Sequence, residues 1–426
     1  MKVLIIGSGG REHALAWKLS QEKVIEKIYA APGNGGTAKI GTNVSISSED
    51  IPSLLTFARD NKIDLTVVGP EAPLTLGIVD AFNEHGFTIF GPTKGASQIE
   101  GSKSFSKNLM KKYGIPTGAF EEFTDLDAAK KYIKKIGAPI VVKADGLAAG
   151  KGVIICHTED EALNAVDLIM ARREFGDAGN KIVIEELLIG EEASFLAFSD
   201  GKTVLPMATS QDHKPIYDND RGPNTGGMGA YSPAPVVTRE LFDHVMQDIM
   251  IPTVRGMEAE GFPYRGVLYA GLMIKDNRVN VLEFNARFGD PEAQPLLMRL
   301  KGDLSPILFA TIRGDLKNHV LAYDERPAVC VVMASRGYPG SYEKGKEIRG
   351  IDDAEKVGGV VVFHAGTRRD GDRVTTSGGR VLGVTAIGDD LKQAIGRAYD
   401  AAKIISWDGA QYRTDISAKG LKYGKA

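Results

Sequence analysis

The hydrophobic pattern of the first hundred residues alternates between short apolar runs and longer segments of helical periodicity. The apolar runs are KVLIIG, KIYAAPG, DLTVVGPE and FTIFGP, and the segments between them include REHALAWKLSQ, IPSLLTFARDN and LTLGIVDAFNEHG. Strands that alternate with helices of about ten to twelve residues are typical of a parallel, doubly wound sheet. We therefore expect an α/β fold with a Rossmann-like N-terminal domain over residues 1–101.

The middle of the chain has a mixed order of helices and strands. The segment KSFSKNLMKKYG has helical periodicity and stops before Pro116. Proline disfavours the helical conformation in the residue before it, so a helix is expected to end there. The strand GAFEEF, the helix DLDAAKKYIKKIG, two strands around DGLAAGKG, the helix DEALNAVDLIMARR and the strand IVIEEL follow. The pattern predicts a second domain over residues 102–325.

The last hundred residues return to strands. The apolar runs AVCVVMAS, VVVFHAGT and RVLGVTAI are followed by one amphipathic helix, LKQAIGRAYDAAKII. This order of strands followed by a helix predicts a small C-terminal α+β domain over residues 326–426.

Composition narrows the class of protein. With 43% hydrophobic and 25% charged residues, the chain has the make-up of an ordinary globular protein, and no apolar run is long enough for a membrane span. The first apolar run reaches glycine too soon for a signal peptide, so we expect a cytoplasmic protein that binds no membrane. A net charge of −3 argues against a nucleic-acid partner. Cys156 and Cys330 lie in apolar runs and are expected to be buried, reduced thiols.

The segment VVKADGLAAGKGV, residues 141–153, joins two β-branched runs through glycines, alanines and two lysines. Such a loop is suited to phosphate, because its backbone N–H groups can crowd around a ligand. Its spacing differs from that of a Walker P-loop, since only three residues separate Gly146 from Gly150 and no helix follows. A flexible hairpin turn with solvated lysines is the alternative.

The carboxyl ends of the first predicted strands carry the segments GSGGRE, APGNGG and GPEAPL. Ligands of doubly wound sheets bind at this rim. A dinucleotide site is disfavoured, because Glu12 stands where the third glycine of the fingerprint belongs and the second strand ends without an acid. The N–H groups of Ser8, Gly9 and Gly10 open a helix and favour the phosphate of a small sugar.

Two acidic segments are candidates for ligand contacts. Glu185 ends a predicted strand and can accept a hydrogen bond from an adenine, while Glu192 beyond the turn can hold ribose hydroxyls. Solvated glutamates are the alternative for this stretch alone.

The strand VLEFNARFGDPE, residues 281–292, carries Glu283, Asn285 and Arg287 on one face by alternation. Carboxylate and amide oxygens suit Mg²⁺, and an arginine on the same face can grip a carboxylate or phosphate. The alternative is a structural ion pair between Glu283 and Arg287. The loop RGPNTGGMGAYSPAP, residues 221–235, is rich in small residues that permit close approach to a ligand.

Together these segments resemble the ATP-grasp superfamily and, within it, the glycinamide ribonucleotide synthetase family. The motifs that carry this resemblance follow one order over nearly the whole chain: GSGGREHALAWKL, APGNGG, VVGPEAPL, EGSKSF, VVKADGLAAGKGV, QDHK, GPNTGGMGAYSP, LYAGLM, EFNARFGDPE, FHAGT and GGRVL. The resemblance implies ATP-dependent ligation of glycine to 5-phosphoribosylamine through glycyl phosphate. It also implies an ATP-grasp fold for the central region, with a lid subdomain at about residues 120–190, and a monomer that needs Mg²⁺ or Mn²⁺.

The resemblance also implies roles for individual residues. The nucleotide would be bound by Lys103, Lys107, Lys143, Gly150, Glu185, Glu186, Leu188 and Glu192. The metal ion would be held by Glu283 and Asn285. The other substrates would contact Gly9, Gly10, Asn34, Glu71, Asp212, Gly226, Gly227 and Arg287, with Arg287, Lys143 and Asp212 as catalytic residues.

Some positions depart from the family's pattern. Pro215 and Asn219 stand where arginine and glycine are usual, and Ser417 stands where glycine is usual. Gly271 occupies the place where many relatives have a second metal-binding carboxylate, so only one carboxylate ligand is expected.

Three other functions remain open at this point. The chain resembles other ATP-grasp ligases, such as an aminoimidazole carboxylating enzyme, and assays with different carboxylates would separate them. An NAD-dependent dehydrogenase is disfavoured by Glu12. A nucleotide-sensing binding module would bind ATP without releasing phosphate.

Overall fold

The computed structural model describes residues 1–147 and 152–424. Its N-terminal part is a five-stranded parallel sheet in the order β3-β2-β1-β4-β5 with helices on both faces, which confirms the Rossmann-like prediction. The strands are β1 (Lys2–Gly7), β2 (Lys27–Pro32), β3 (Thr42–Asn43), β4 (Leu65–Val68) and β5 (Ile89–Phe90). The helices are α1 (Gly10–Leu19), α2 (Thr37–Ile40), α3 (Ile51–Asn61), α4 (Glu71–Leu76), α5 (Ile78–Glu84) and α6 (Lys94–Gly101).

The segment predicted as one helix over residues 74–86 is two helices in the structure. Gly77 separates α4 from α5 with a φ of +95°, a backbone conformation that glycine adopts without steric cost. Glu71 lies near the rim of the sheet because α4 begins directly after β4. The apolar periodicity continues through the break, which is why the sequence pattern indicated a single helix.

The first sheet of the central region has its own apolar core and spans the predicted lid. Its helices are α7 (Lys103–Lys112), α8 (Leu126–Ile136) and α9 (Glu159–Val166). Its strands are β6 (Phe120–Phe123), β7 (Ile140–Ala144), β8 (Val153–Cys156) and β9 (Ile182–Glu186), paired antiparallel in the order β6-β9-β7-β8. The β7–β8 pairing confirms the predicted strand-loop-strand unit. Asp125 accepts a hydrogen bond from Ala128 N–H at 2.7 Å and so starts α8.

A second antiparallel sheet, in the order β11-β10-β16-β17, faces the first across a cleft. The strands in this part of the chain are β10 (Glu191–Asp200), β11 (Val204–Pro206), β12 (Gln211–Asp212), β13 (Pro215–Tyr217), β14 (Arg221–Asn224), β15 (Gly229–Ser232), β16 (Arg265–Lys275), β17 (Arg278–Asn285), β18 (Leu300–Lys301) and β19 (Ala322–Tyr323). The helices are α10 (Arg239–Val245), α11 (Ile251–Ala259), α12 (Ala293–Arg299) and α13 (Ser305–Arg313). Two antiparallel sheets around a cleft are the architecture expected of an ATP-grasp fold.

The C-terminal part is built on an antiparallel sheet whose strands come from two regions of the chain. It contains β20 (Ala328–Ser335), β21 (Val360–His364), β22 (Thr367–Asp370), β23 (Arg373–Thr376), β24 (Arg380–Ile387) and β25 (Ala410–Gln411), with α14 (Ile351–Ala354) and α15 (Leu391–Ile404). The sheet runs β12-β15-β20-β24-β21, so two strands of the predicted central domain cross the predicted boundary at residue 325 and join it. The loop between β12 and β15 is thereby fixed to the C-terminal sheet.

Buried polar contacts fix the N-terminal domain to the rest of the chain. Glu22 accepts hydrogen bonds from the N–H groups of Leu304 (2.6 Å) and Ser305 (3.0 Å), at the start of α13. Lys18 donates to the carbonyl of Leu300. These contacts hold the C-terminal end of α1 against β18 and the start of α13.

No helix among the described residues is both long enough and apolar enough to span a membrane.

Both cysteines are buried and unpaired, and burial raises the pKa of Cys156 to about 11 and that of Cys330 to about 12. The expectation of buried thiols is confirmed.

Ser417, the departure near the C-terminus, has a φ of +69° and a fully buried side chain. Its hydroxyl has no hydrogen-bond partner within the described residues, while its N–H donates to Nε2 of His213 at 3.3 Å. A serine in this backbone conformation is strained, and a buried hydroxyl without a partner adds to the cost.

Ser417→Gly is therefore expected to stabilise the protein by about 1 kcal/mol. Glycine removes the backbone strain and the unpaired hydroxyl, while the greater conformational entropy of glycine in the unfolded chain offsets part of this gain. Asn277→Gly is the matched control, since Asn277 also has a positive φ, of 58°, but is exposed and of a residue type that tolerates it. Chemical denaturation of both variants beside the parent protein measures the effect. Equal stability of the two variants would contradict the assignment of strain to Ser417.

Candidate active site

One cavity of about 540 Å³ lies where the two central sheets, the N-terminal rim and the C-terminal domain meet. Most of the residues expected in the site line it. They are Glu71, Lys103, Lys107, Lys143, Glu185, Asp212, Gly226, Glu283, Asn285 and Arg287. The structure thus brings together residues from α4, α7, β7, β9, β12 and β17, and we call this cavity the cleft.

Charges of both signs line the cleft in equal number among the described residues. The basic side chains are Arg11, Lys103, Lys107, Lys143, Lys214, Arg287 and Arg380. The acidic side chains are Glu71, Glu100, Glu185, Asp212, Glu283, Asp290 and Glu292. Buried charges are tolerated only when they are paired, so this balance allows the cleft to hold cations for an anionic ligand before the ligand arrives.

Two lysines meet one buried carboxylate on the lid side of the cleft. The ammonium groups of Lys107 and Lys143 lie 2.7 Å and 2.9 Å from the two oxygens of Glu185. Burial lowers the pKa of Lys107, although Glu185 counteracts this. The oxygen of Glu185 nearest to Lys143 receives no directed hydrogen bond within the described residues.

The loop after β7 is anchored to the start of α7. Asp145 accepts hydrogen bonds from the Ser102 hydroxyl and from Ser104 N–H, both at 3.1 Å. Lys103 donates to the carbonyl of Gly146 at 3.0 Å. Gly150, expected to bind nucleotide, lies outside the described residues.

Arg287 is held by two glutamates from the N-terminal domain. Its Nε lies 3.1 Å from Glu71 and its Nη2 lies 2.8 Å from Glu100, and Nη2 also donates to Asn285 Oδ1 at 3.1 Å. Burial alone would lower the pKa of Arg287, but Glu100 and Glu71 raise it. The alternative of a structural ion pair between Glu283 and Arg287 is therefore wrong, because Arg287 pairs with Glu71 and Glu100.

Glu283 and Asn285 lie two apart on β17 and both face the cleft, as the strand alternation predicted. Burial tends to raise the pKa of Glu283, but Lys214, Lys143 and Lys103 together lower it, so its carboxylate stays ionised. Gly271 lies opposite Glu283 in the sheet, where a Cβ would meet only Glu283 atoms at 3.5 Å or more.

These two oxygen donors fit a hard cation that takes its remaining ligands from phosphate and water. The described residues contain no group of three or more His, Cys, Asp or Glu side chains arranged for a metal ion.

The pKa of Asp212 is raised into the neutral range, where a carboxyl group can exchange a proton with a substrate. Burial raises it to about 7, with Lys214 acting against the rise and Glu292 and Glu192 adding to it. Lys214 forms an ion pair of 3.0 Å with Glu192. Glu292 accepts a hydrogen bond from the Tyr269 hydroxyl at 2.7 Å, which fixes its orientation beside Asp212.

Some expected residues lie beside the cleft without lining it. Glu186 is exposed and Leu188 is half-buried, both directly after Glu185. Glu192 is engaged with Lys214, and Gly227 is packed under Pro291 with a φ of +111°. Their expected roles remain predictions.

At the N-terminal rim, the protein's own carboxylates meet the start of α1. Gly9 N–H donates to Glu12, and Arg11 N–H donates to Asp290 at 3.4 Å. A Cβ on Gly10 would lie 2.5 Å from Gln294 Nε2, so a side chain there would have to displace the buried amide of Gln294. The Glu12 side chain also fills the space above Gly7 and Gly69, which accounts for the absence of a dinucleotide fingerprint.

Asn34 is buried and braces the rim. Its side-chain amide donates to the carbonyls of Ser8 (3.0 Å), Gly9 (3.1 Å) and His364 (2.8 Å), and its oxygen accepts from the N–H groups of Gly36 and Thr37. Every polar atom of this side chain is engaged with the main chain, so Asn34 shapes the rim.

Sequence reasoning missed several charged groups of the cleft. They are Arg11, Glu100, Lys214, Asp290, Glu292 and Arg380. All six lie inside the quoted motifs GSGGREHALAWKL, EGSKSF, QDHK, EFNARFGDPE and GGRVL, but nothing in their local pattern indicated that they converge.

Three family models match the chain consecutively. The N domain of phosphoribosylglycinamide synthetase matches residues 1–100, the ATP-grasp (A) domain of the same enzyme matches residues 101–293, and the C domain matches residues 328–419. The chain is 54% identical over 426 residues to phosphoribosylamine–glycine ligase of Vibrio parahaemolyticus, covering 99% of each.

Solved structures are similar over the same length. Phosphoribosylamine–glycine ligase from Thermotoga maritima superposes with a TM-score of 0.83 at 33% identity, covering 98% of this chain and 100% of that one. The biotin carboxylase domain of 2-oxoglutarate carboxylase from Hydrogenobacter thermophilus gives a TM-score of 0.74 at 16% identity, covering 99% and 98%. The second likeness concerns the fold alone.

We expect the Asp212 carboxyl to titrate near pH 7, because burial disfavours its charged form. Carbon-detected NMR of protein labelled at aspartate carboxyls measures this, with Asp212→Asn identifying the signal. Asp324, whose pKa is lowered to about 2, mainly by hydrogen bonding to Arg326, is the internal reference. Since the folded pKa is raised, the folded state binds the proton between about pH 4 and pH 7, and the group destabilises the fold as pH rises through that range. Titration of Asp212 near pH 4 would contradict this description.

Proposed function

The chain belongs to the phosphoribosylglycinamide synthetase family, and from that premise we propose how its cleft performs the family's reaction. It is an ATP-dependent carboxylate-amine ligase. It joins glycine to 5-phosphoribosylamine in de novo purine biosynthesis, giving glycinamide ribonucleotide, ADP and phosphate. The observation that carries the residue assignments is the single cleft in which lysines, Glu283, Asn285 and Arg287 converge.

The nucleotide binds between the two central sheets. Lys107 and Lys143 contact its phosphates, with Lys103 beside them, and Glu185 holds the two ammonium groups in position. Gly150 is assigned to the phosphate contacts by the family resemblance alone. The oxygen of Glu185 that lacks a directed donor accepts from the adenine amino group. The main chain of Glu186 and Leu188 and the carboxylate of Glu192 complete the contacts to base and ribose. Positioned cations are the main contribution that a protein makes to phosphoryl transfer.

Glu283 and Asn285 would hold Mg²⁺ or Mn²⁺. The support is their shared orientation into the cleft and the low pKa of Glu283. When bound, the ion would neutralise charge on the transferring phosphate. The same negative charge on Glu283 is balanced by Lys214 and Lys143 when no ligand is present.

Glycine enters beside Arg287 and Asp212, next to the Gly226-Gly227 turn. An oxygen of its carboxylate attacks the γ-phosphorus of ATP, the bond to the β-phosphate breaks, and ADP leaves. Arg287 orients the carboxylate with the N–H that its partners leave available, and Glu71 and Glu100 keep the guanidinium in place. Holding both reactants in line is the main way such a site lowers the barrier.

The amine of phosphoribosylamine then attacks the carbonyl carbon of glycyl phosphate, and phosphate leaves. The sugar approaches from the rim formed by Gly9, Gly10 and Asn34. Asp212 accepts the proton that the amine loses, and its pKa of about 7 suits a base at neutral pH.

The protein acts as a monomer in the cytoplasm on small molecules alone. The proposed reaction needs no group from a second chain, because the described residues of one chain already supply the cleft lysines, Glu283, Asn285 and Arg287. The support for the location is the use of ATP together with two unpaired thiols.

The proposed function is tested by ADP release from the purified protein. We expect release only when ATP, glycine and phosphoribosylamine are all present, with glycinamide ribonucleotide formed in equal amount. Bicarbonate in place of glycine should give no release, which separates this ligase from a carboxylating relative. ATP binding without ligand-dependent release would instead indicate a nucleotide-sensing module and overturn the proposal.

Glu283→Gln extends the same assay to the metal site. It should lower the rate by at least about a hundredfold and weaken Mg²⁺-dependent ATP binding in calorimetry, because a neutral amide is a poorer ligand. Glu186→Gln is the matched control on an exposed glutamate expected to act through its main chain. Equal effects of the two substitutions would remove Glu283 from the metal site.

A further inference from the structure

A short hairpin, formed by β13 and β14 over residues 215–224, lies between two segments that line the cleft. Asp212 and Lys214 come directly before it, and Gly226 comes directly after it. Because the chain is continuous, a displacement of this hairpin would move cleft residues on both of its flanks. We call residues 215–224 the hairpin.

Apolar packing contributes little to the position of the hairpin. Within residues 215–224, all of which the structure describes, Ile216 is the one buried side chain. At the tip, Asn219 and Asp220 have φ values of +60° and +53°. Residues other than glycine keep such a conformation only where their surroundings fix it. The position of the hairpin therefore depends on its polar contacts.

The central polar contact comes from Arg413, near the end of the chain, whose side chain is 1% exposed. Its guanidinium donates to the carbonyl of Pro215 at 3.1 Å and to Asp220 Oδ1 at 3.0 Å. It also binds both oxygens of Asp415 at 2.7 Å, a bidentate contact that fixes the plane of the guanidinium. Asp415 in turn accepts from Asn219 N–H at 2.8 Å. Both the base and the tip of the hairpin are thus held by Arg413 and its partner.

The base of the hairpin is joined to the cleft by main-chain contacts. Pro215 follows Lys214, whose carbonyl accepts from the N–H and the hydroxyl of Thr225 at 2.9 Å and 2.7 Å. Thr225 Oγ1 accepts from Gly227 N–H at 2.9 Å. The ammonium of Lys214 lies 3.0 Å from Glu192. Fixing the carbonyl of Pro215 therefore fixes a lysine of the cleft and the glycine turn together.

We propose that Arg413 is a positioning residue for glycine activation. It holds the hairpin and, through it, the segments that carry Asp212, Lys214 and the Gly226-Gly227 turn. Arg413 lies outside the lining of the cleft, so it acts through the main chain and not on the substrate. This inference rests on the proposed function and gives the end of the chain a part in placing glycine.

The first test compares Arg413→Gln with Arg299→Gln. Arg299 is a matched control, because it is also buried and also donates to main-chain carbonyls. Its hydrogen-bond partners, all outside residues 211–227, are Ser232, Asp324 and Arg326. Arg413→Gln should raise the KM for glycine at least about tenfold and that for phosphoribosylamine less than about twofold, since only the glycine site loses its alignment. Arg299→Gln should change neither KM.

Amide hydrogen exchange measures the positioning without any substrate. Peptides that cover residues 213–227 should exchange at least about tenfold faster in Arg413→Gln than in the parent protein, because local opening becomes easier. The same peptides should exchange at the parent rate in Arg299→Gln.

A second pair of variants applies if Arg413→Gln does not fold. Asp220→Gly removes the ion pair with Arg413, and glycine accepts the positive φ. Asn219→Gly makes the same backbone change at the neighbouring residue and leaves that ion pair in place. Asp220→Gly should raise the KM for glycine and speed exchange over residues 213–227, whereas Asn219→Gly should do neither.

Three results would overturn the role of Arg413. They are equal effects within either pair of variants, unchanged exchange over residues 213–227 in Arg413→Gln or Asp220→Gly, and a parallel rise of the KM values for glycine and phosphoribosylamine, which indicates general damage. Failure of the parent protein to release ADP would contradict the proposed function, and hydrogen exchange would still decide whether Arg413 holds the hairpin.

Discussion

The ion-pair network around Arg287 is the constraint on which the rest of the site depends. Glu71 and Glu100 come from the N-terminal domain, whereas Arg287 and Asn285 come from β17 and the residues after it. Removing one partner of a buried pair costs about 3–5 kcal/mol, so the network couples the position of the rim to that of the expected metal strand. An arginine held in this way needs little reorganisation when an anionic substrate arrives.

The same principle extends through the cleft. Glu185 separates two lysines that would otherwise repel each other, and Lys214 neutralises Glu192 beside the buried Asp212. The cations are positioned before ATP binds, and each is compensated by a carboxylate. The C-terminal sheet contributes too, because β12 and β15 belong to it and carry Asp212 and the end of the glycine-rich loop.

Local patterns predicted most of the elements, and ten of the residues named from the resemblance line the cleft. The alternation on β17 identified Glu283, Asn285 and Arg287 correctly as one face, because a strand's period of two is a local property. The partners of Arg287 were not predictable, since Glu100 lies 187 residues away and its own helix gives no hint of the contact. The break at Gly77 and the transfer of β12 and β15 to the C-terminal sheet depend on tertiary packing, which periodicity does not encode.

The central claim is that the cleft activates a carboxylate with the γ-phosphate of ATP. Glycine labelled with ¹⁸O in both carboxylate oxygens tests it most directly. If glycyl phosphate forms, one labelled oxygen bridges carbon and phosphorus and leaves with the phosphate, so the released inorganic phosphate should contain one ¹⁸O per molecule of product. Inorganic phosphate without ¹⁸O, formed alongside glycinamide ribonucleotide, would contradict the account.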